Sequence, residues 1–319
     1  MRNVLITGGA GYIGRQVVRR LAADTAHVRR VVATDVRELP ADQRPPGAIC
    51  ETRDVRDPQL GALLAAHEID TVVHLASIVT PTPDMTREFL YSVDVLGTQN
   101  VIEACLAAHV RKVIVTSSGA AYGYYADNPE WLAETDAIRG NEAFAYSHHK
   151  RLVEEMLAGY RRSHPQLTQL IFRLCTVVGT GVANQITAMF ERPVVLGVSG
   201  AATPFVFIWD QDVVECIYRG VLDDRGGIYN VAGDGTLTMQ AIAQRLGKRY
   251  VAIPPGALRM ALAVLHRLGL TQYGPEQVDF LRYRPVLANR ALKETFGYTP
   301  QCTSAAAFEK YLAGRAGRG

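Results

Sequence analysis

The sequence predicts an α/β protein: a doubly wound parallel sheet with helices on both faces, followed by a smaller C-terminal mixed α/β substrate domain. Three observations predict it. Short β-branched runs alternate with segments of helical period through the first half, a glycine-rich turn joins the first run to the first helical segment, and the alternation becomes irregular after about residue 177. Strands are expected at 3–7, 30–35, 48–53, 71–75, 112–117 and 168–173, with helices at 12–23, 58–66, 87–109 and 142–163. Wholly apolar runs such as VIVTS suit strands covered on both faces. Beyond 177, short strands at 205–208 and 227–231 mix with helices at 212–222, 239–246 and 256–268. The expected division is therefore 1–176 for the sheet domain and 177–319 for the substrate domain, interlocked across one cleft above the sheet's carboxyl edge.

Composition bounds the function. With 319 residues, 48% of them hydrophobic, the chain can bury a large core, and a net charge of +3 without long Lys/Arg runs argues against nucleic acid or an anionic membrane as partner. Cys50, Cys105, Cys175, Cys216 and Cys302 are odd in number and scattered, with no Cys-x-x-Cys pair, so reduced thiols and no metal are expected. No run approaches the ~20 apolar residues of a membrane span, and MRNVLIT is short for a signal sequence, so a cytoplasmic location is expected. The tail at 313–319 reads as frayed.

The turn after the first strand places Gly8, Gly11 and Gly14 at G-x-x-G-x-x-G spacing, directly before an amphipathic helix. Glycines let the backbone approach a pyrophosphate, whose charge then meets the free N–H groups and dipole of the helix N-terminus. This is the Rossmann arrangement. Asp35 ends the second strand about 20 residues on, where an acid accepts from adenosine ribose hydroxyls and repels a 2′-phosphate. NAD is favoured; Arg37 is the feature that would suit NADP. Asp54 reads equally as a second acid near the adenine or as a turn residue.

Tyr146 and Lys150 stand at i and i+4 on the helix following the fifth strand, whose end carries Ser117 and Ser118. A free phenol titrates near 10, and an ammonium neighbour plus the positive ring of oxidised nicotinamide would favour phenolate. Ser118 would then hold a substrate oxygen while Tyr146 takes its proton and Lys150 supports both the phenolate and the ribose.

The chain resembles the extended short-chain dehydrogenases/reductases, the NAD-dependent epimerase/dehydratase family, over nearly its whole length. The resemblance is carried by TGGAGYIG at 7–14, HLAS at 74–77, DVLGT at 94–98, TSSGAAYG at 116–123, YSHHK at 146–150, FIWDQDV at 207–213 and NRALKETFGYTP at 289–300. It implies that Ser118, Tyr146 and Lys150 are catalytic and that Gly8, Gly11, Tyr12, Ile13, Asp35, Asp54, Val55, Leu75, Ala76 and Ser77 contact the cofactor, as Tyr146 and Lys150 also would. It implies a homodimer formed through the helices at 87–109 and 142–163. Ser118, Tyr122, Thr176 and Asn184 are the candidate substrate contacts, with Asn184 reading alternatively as a helix cap.

The departures restrict the chemistry. Gly119 and Ala120 stand where the family's 4,6-dehydratases carry an Asp-Glu pair, which argues against dehydration. Asp94 replaces the family's usual Asn, altering any proton relay through that amide. RLCTVVG at 173–179 lacks the proline, asparagine and tyrosine of the sugar-nucleotide enzymes. His148 and His149 read as helix surface or dimer contact, and Tyr122, Tyr124, Tyr125 and Trp131 as cleft lining or loop packing. The expected function is that of a UDP-glucose 4-epimerase-like enzyme acting on a nucleotide sugar; the alternatives are a dehydrogenase/reductase of a non-nucleotide hydroxy or keto substrate, such as a hydroxysteroid-like or β-keto compound, and a non-catalytic NAD sensor.

Overall fold

Seven strands pair in parallel: β1 (Arg2–Thr7), β2 (Val28–Asp35), β3 (Ala48–Thr52), β4 (Thr71–His74), β5 (Lys112–Ser118), β6 (Thr168–Leu174) and β7 (Gly227–Val231). Their order across the sheet is β3-β2-β1-β4-β5-β6-β7 in a computed structural model that describes residues 1–271 and 274–316. The chain reverses its winding between β1 and β4, which leaves a crevice at their carboxyl ends. The first six strands match the expectation from the β-branched runs. The seventh arrives from beyond residue 176, so the sheet draws a strand from the C-terminal segment.

Two apolar layers sandwich the sheet. On one face, α1 (Tyr12–Ala22) presents Val17, Val18 and Leu21 beside Val213, Ile217 and Val221, which come from a later helix. On the other, α2 (Leu60–Ala66), α4 (Gly97–Ala107) and α5 (Ala145–Ser163) contribute Leu60, Leu64, Ile102, Cys105, Val153 and Leu157. The expected helix at 87–109 is interrupted: α3 (Arg87–Tyr91) passes through one π turn, Ser92–Leu96, before α4. A π turn inserts an extra residue and rotates the helical face beyond it, a feature common at functional sites.

The C-terminal segment has its own core of Phe190, Phe205, Phe207 and Phe308. Short strands frame it: Thr176–Val178 beside Phe207–Trp209, Val194–Val198 beside Arg249–Ile253, and Pro204–Phe205 antiparallel to Leu237–Thr238. It also includes α6 (Gln185–Glu191) and α7 (Asp210–Leu222), the latter being the helix that covers the sheet with α1. The tail expected to fray from Ala313 is instead helical through Ala316, within Ser304–Ala316; 317–319 lie outside the described residues. Among the described residues no helix is long and apolar enough to cross a membrane.

Candidate active site

The turn after β1 is pressed against its neighbours. Gly8 has φ +70°, and a Cβ there would lie 2.8 Å from the Ala76 nitrogen; one on Gly14 would lie 2.0 Å from the Gly8 oxygen. Gly11 caps α1 without any side-chain bond, and the first turn of α1 holds no acid, so the positive end of the helix dipole suits an anion. Tyr12 donates to Asp210 Oδ2 at 2.5 Å, tying the start of α1 to α7. These features fit a dinucleotide pyrophosphate.

Asp35 Oδ2 accepts from the Ala10 N–H at 3.1 Å and Oδ1 from the Arg37 N–H at 3.0 Å, while Arg37 Nε lies 3.4 Å from the same Oδ1. The guanidinium that could suit a 2′-phosphate is thus turned onto the acid that excludes one. Both line a small cavity of about 100 Å³. Asp54 and Val55 line neither this cavity nor the larger one. Asp54 accepts from Arg56 Nη2 at 2.6 Å, a contact that holds its carboxyl below the ordinary range against some burial, and the buried Val55 packs on Gly97.

The larger cavity, about 370 Å³, opens over the carboxyl edge of the sheet. Gly8, Gly11, Tyr12, Ile13, Leu75 and Ser77 line it, with the Ala76 backbone against Gly8. Ser118, Tyr146, Lys150, Thr176 and Asn184 line it too. Ser118 ends β5 and Tyr146 opens α5, and the two side chains share a hydrogen bond. Lys150 Nζ donates to the Thr116 carbonyl at 3.0 Å and lies 5.5 Å from the Tyr146 ring centre. The three side chains expected to act together are therefore brought to one wall.

Within the protein alone the phenol is not primed in the manner the Tyr/Lys spacing suggests. Burial pushes Tyr146 up to about 12, the Ser118 bond works against this, and the charge of Asp94 adds to it. Lys150 is lowered by burial, with Asp94 and Glu154 opposing.

Asp94 lies in the π turn and is 5% exposed. Its Oδ1 accepts from Ser77 Oγ at 3.0 Å and the Ile78 N–H at 2.9 Å, and its Oδ2 lies 3.1 Å from His149 Nδ1. Burial opposes its ionisation, yet the bond with His149, the charge of Lys150 and the bonds from Ile78 and Ser77 hold its carboxyl below the ordinary range. A carboxylate has no proton to give, so Nδ1 of His149 carries one. His149 is 1% exposed, which corrects its reading as helix surface: the π turn covers that face of α5. His74 spans Thr7 Oγ1 at 2.7 Å and Thr98 Oγ1 at 2.9 Å, with burial and then Lys150 lowering its pKa to about 3, so it is neutral.

Asp94→Asn should move both limbs of the pH profile of kcat/KM to lower pH. The carboxylate raises Tyr146 and supports protonated Lys150, so its removal lets the phenol ionise earlier and the ammonium discharge earlier. A plateau that falls while both limbs stay in place would show a purely structural role.

Other expectations need correction. Tyr122 does not line the cleft: the 3₁₀ turn Gly119–Tyr122 carries its ring into the core at 0% exposure, where its hydroxyl meets Arg173 Nη1 at 2.7 Å. Asn184 borders the cleft, but its Oδ1 accepts from the N–H groups of Ile186 and Thr187, both at 2.9 Å, capping α6. Of the remaining aromatics, Tyr124 lines the cleft, Tyr125 bonds the Gly140 carbonyl, and Trp131 is exposed. Sequence reasoning missed Phe144 and Arg284, which also line the cleft, and Phe280, which stacks behind Phe144 with ring centres 4.8 Å apart.

The family model described as NAD dependent epimerase/dehydratase family matches residues 4–232. The chain belongs to the NAD-dependent epimerase/dehydratase family. Like other members of this family it is an NAD-dependent enzyme of the short-chain dehydrogenase/reductase superfamily. An uncharacterised protein of Mycobacterium tuberculosis is 26% identical over 316 residues, covering 98% of this chain and 84% of that protein. A UDP-glucose 4-epimerase of Yersinia enterocolitica is 29% identical over 188 residues, covering 56% of this chain and 54% of that one. The solved UDP-glucose 4-epimerase of Thermotoga maritima, with UDP-glucose, superposes at TM-score 0.76 and 18% identity over 99% of each chain, a likeness of fold.

Proposed function

We propose that this family member is a cytoplasmic NAD-dependent dehydrogenase/reductase that interconverts a secondary alcohol and its ketone. The observation that carries the reading is the convergence of Ser118, Tyr146 and Lys150 on a cleft that the glycine turn also lines. The α1 N-terminus with Gly8 and Gly11 would hold the pyrophosphate, Asp35 the adenosine ribose, and Lys150 the nicotinamide ribose. NAD bound there supplies the hydride acceptor and a positive ring that lowers the phenol. Ser118 then donates to the substrate oxygen, and Tyr146 removes its hydroxyl proton as hydride leaves carbon.

The wall beside Tyr146 supports a non-nucleotide substrate. Gly119 and Ala120 offer no hydroxyl-binding groups, and Tyr124 and Phe144 lie against each other with ring centres 5.8 Å apart. A second reading, epimerisation of a nucleotide sugar, is supported by what the Yersinia and Thermotoga relatives are named for. The exposed Phe89, Tyr91 and Leu96 on α3 and its π turn support the homodimer expected through these helices.

Denaturing the purified protein and assaying released NAD, then incubating fresh protein with secondary alcohols plus NAD and separately with UDP-glucose, tests the choice. NADH formation from alcohols is expected. Tightly held NAD, no NADH, and conversion of UDP-glucose to UDP-galactose would replace this reading with the epimerase.

A further inference from the structure

The charge content of the cleft is one-sided. Among the described residues, Lys150 and Arg284 are the only formally charged side chains lining it, and no Asp or Glu does so. Lys150 is answered by the fields of Asp94 and Glu154 and by the Thr116 carbonyl. Arg284 has no such answer. Its guanidinium lies 4.1 Å over the Phe205 ring, and it makes no hydrogen bond or ion pair among the described residues. Its electrostatic neighbours are the Tyr124 phenol and the Cys175 thiol, and burial dominates them, holding its pKa below the ordinary arginine range. Arg284 is half-buried and lines a cavity with no counter-charge, so its guanidinium is open to an anionic ligand.

Tyr124 neighbours both ends of the proposed site: its phenol feels Arg284 and Tyr146. The wall linking them is apolar: Tyr124, Phe144 and Phe280 form a cluster with ring centres 4.8 to 5.8 Å apart, and Phe144 is 6.2 Å from Tyr146.

We propose that Arg284 is the carboxylate subsite of the substrate cleft, so that the alcohol oxidised here is a hydroxy acid. Its carboxylate pairs with Arg284, its carbon skeleton lies along Tyr124 and Phe144, and its hydroxyl reaches Ser118 and Tyr146. This rests on the hydride-transfer reading above. A guanidinium presents two parallel N–H donors that match the two coplanar oxygens of a carboxylate. A nucleoside diphosphate brings at least two negative charges, and among the described residues the lining offers a single uncommitted cation.

The test measures binding with the chemistry switched off. Full-length Tyr146→Phe protein saturated with NAD is titrated calorimetrically with 3-hydroxybutyrate, 3-hydroxyhexanoate and 4-hydroxypentanoate, with the methyl ester of each, and with UDP-glucose. At least one acid should bind about ten-fold or more tighter than its ester. Adding Arg284→Met should abolish that preference and Arg284→Lys should reduce it, while NAD affinity, read on the same samples, reports intact folding. Esters that bind as well as acids, a preference that survives Arg284→Met, or no acid binding at millimolar concentration would overturn the subsite. So would UDP-glucose binding more tightly than every acid and losing affinity in Arg284→Met, which would assign the guanidinium to a diphosphate. Binding read without Tyr146 is independent of turnover: an acid that binds through Arg284 yet yields no NADH with the unsubstituted protein would sink the hydride-transfer reading alone.

Discussion

Tyr146→Phe is expected to lower kcat by about 10²–10⁴-fold while leaving NAD affinity and thermal stability close to those of the parent protein. The phenol is the group that burial pushes up to about 12, and its one bond with a side chain is to Ser118. Among the described residues nothing else hangs from that oxygen, so its deletion removes a proton acceptor and little structure. The ring remains, and the ring makes the packing contact with Phe144. A variant that bound NAD normally and retained full turnover would remove Tyr146 from the mechanism. A protein that merely senses NAD should lose nothing, so the same substitution separates catalysis from ligand-dependent regulation.

The parts of the site that are legible in the sequence are those held by local geometry. The glycine spacing at Gly8, Gly11 and Gly14 demands close backbone approach within one strand–turn–helix unit, and Tyr146 and Lys150 share a face because they are one helical turn apart. The illegible parts depend on distant segments of chain meeting. Arg284 reaches the cleft, and Phe280 the ring of Phe144 behind it, from more than 130 residues beyond Tyr146, and no periodicity signals that approach. His149 escapes sequence reasoning for a related reason. Helical spacing turns it away from Tyr146, and only the π turn carrying Asp94 reveals that this face is covered. Tyr122 comes soon after the catalytic strand in sequence, but the 3₁₀ turn rotates it into the core. The seventh strand, a five-residue run, can be recognised as extended, yet its place beside β6 comes from tertiary packing.

Arg173→Met should cost about 3–5 kcal/mol of folding stability, because it strands a carboxylate in the core. Arg173 and Glu154 have side chains 4% and 2% exposed, and they meet through Nη2–Oε2 at 2.6 Å and Nε at 3.0 Å from both oxygens. Burial disfavours the charged guanidinium, but the bonds and field of Glu154 outweigh it and hold its pKa above the ordinary range. The pair does more than neutralise itself. Ser117, next to Ser118 at the end of β5, donates to Glu154 Oε1 at 2.5 Å, and Arg173 also reaches the Tyr122 hydroxyl and the Glu134 carbonyl at 3.1 Å. Glu154 sits one turn beyond Lys150 on α5, so this network sets the register between the catalytic helix and the strand that ends in Ser118. Urea unfolding of Arg173→Met, Glu154→Gln and the double variant completes the cycle. The double variant should lose less than the sum of the two singles, since Glu154→Gln removes the charge that Arg173→Met leaves unpaired. Activity should fall with either single change even at temperatures where the variants stay folded. Additive losses, or an Arg173→Met protein within about 1 kcal/mol of the parent, would mean that the pair neither braces the core nor positions the helix.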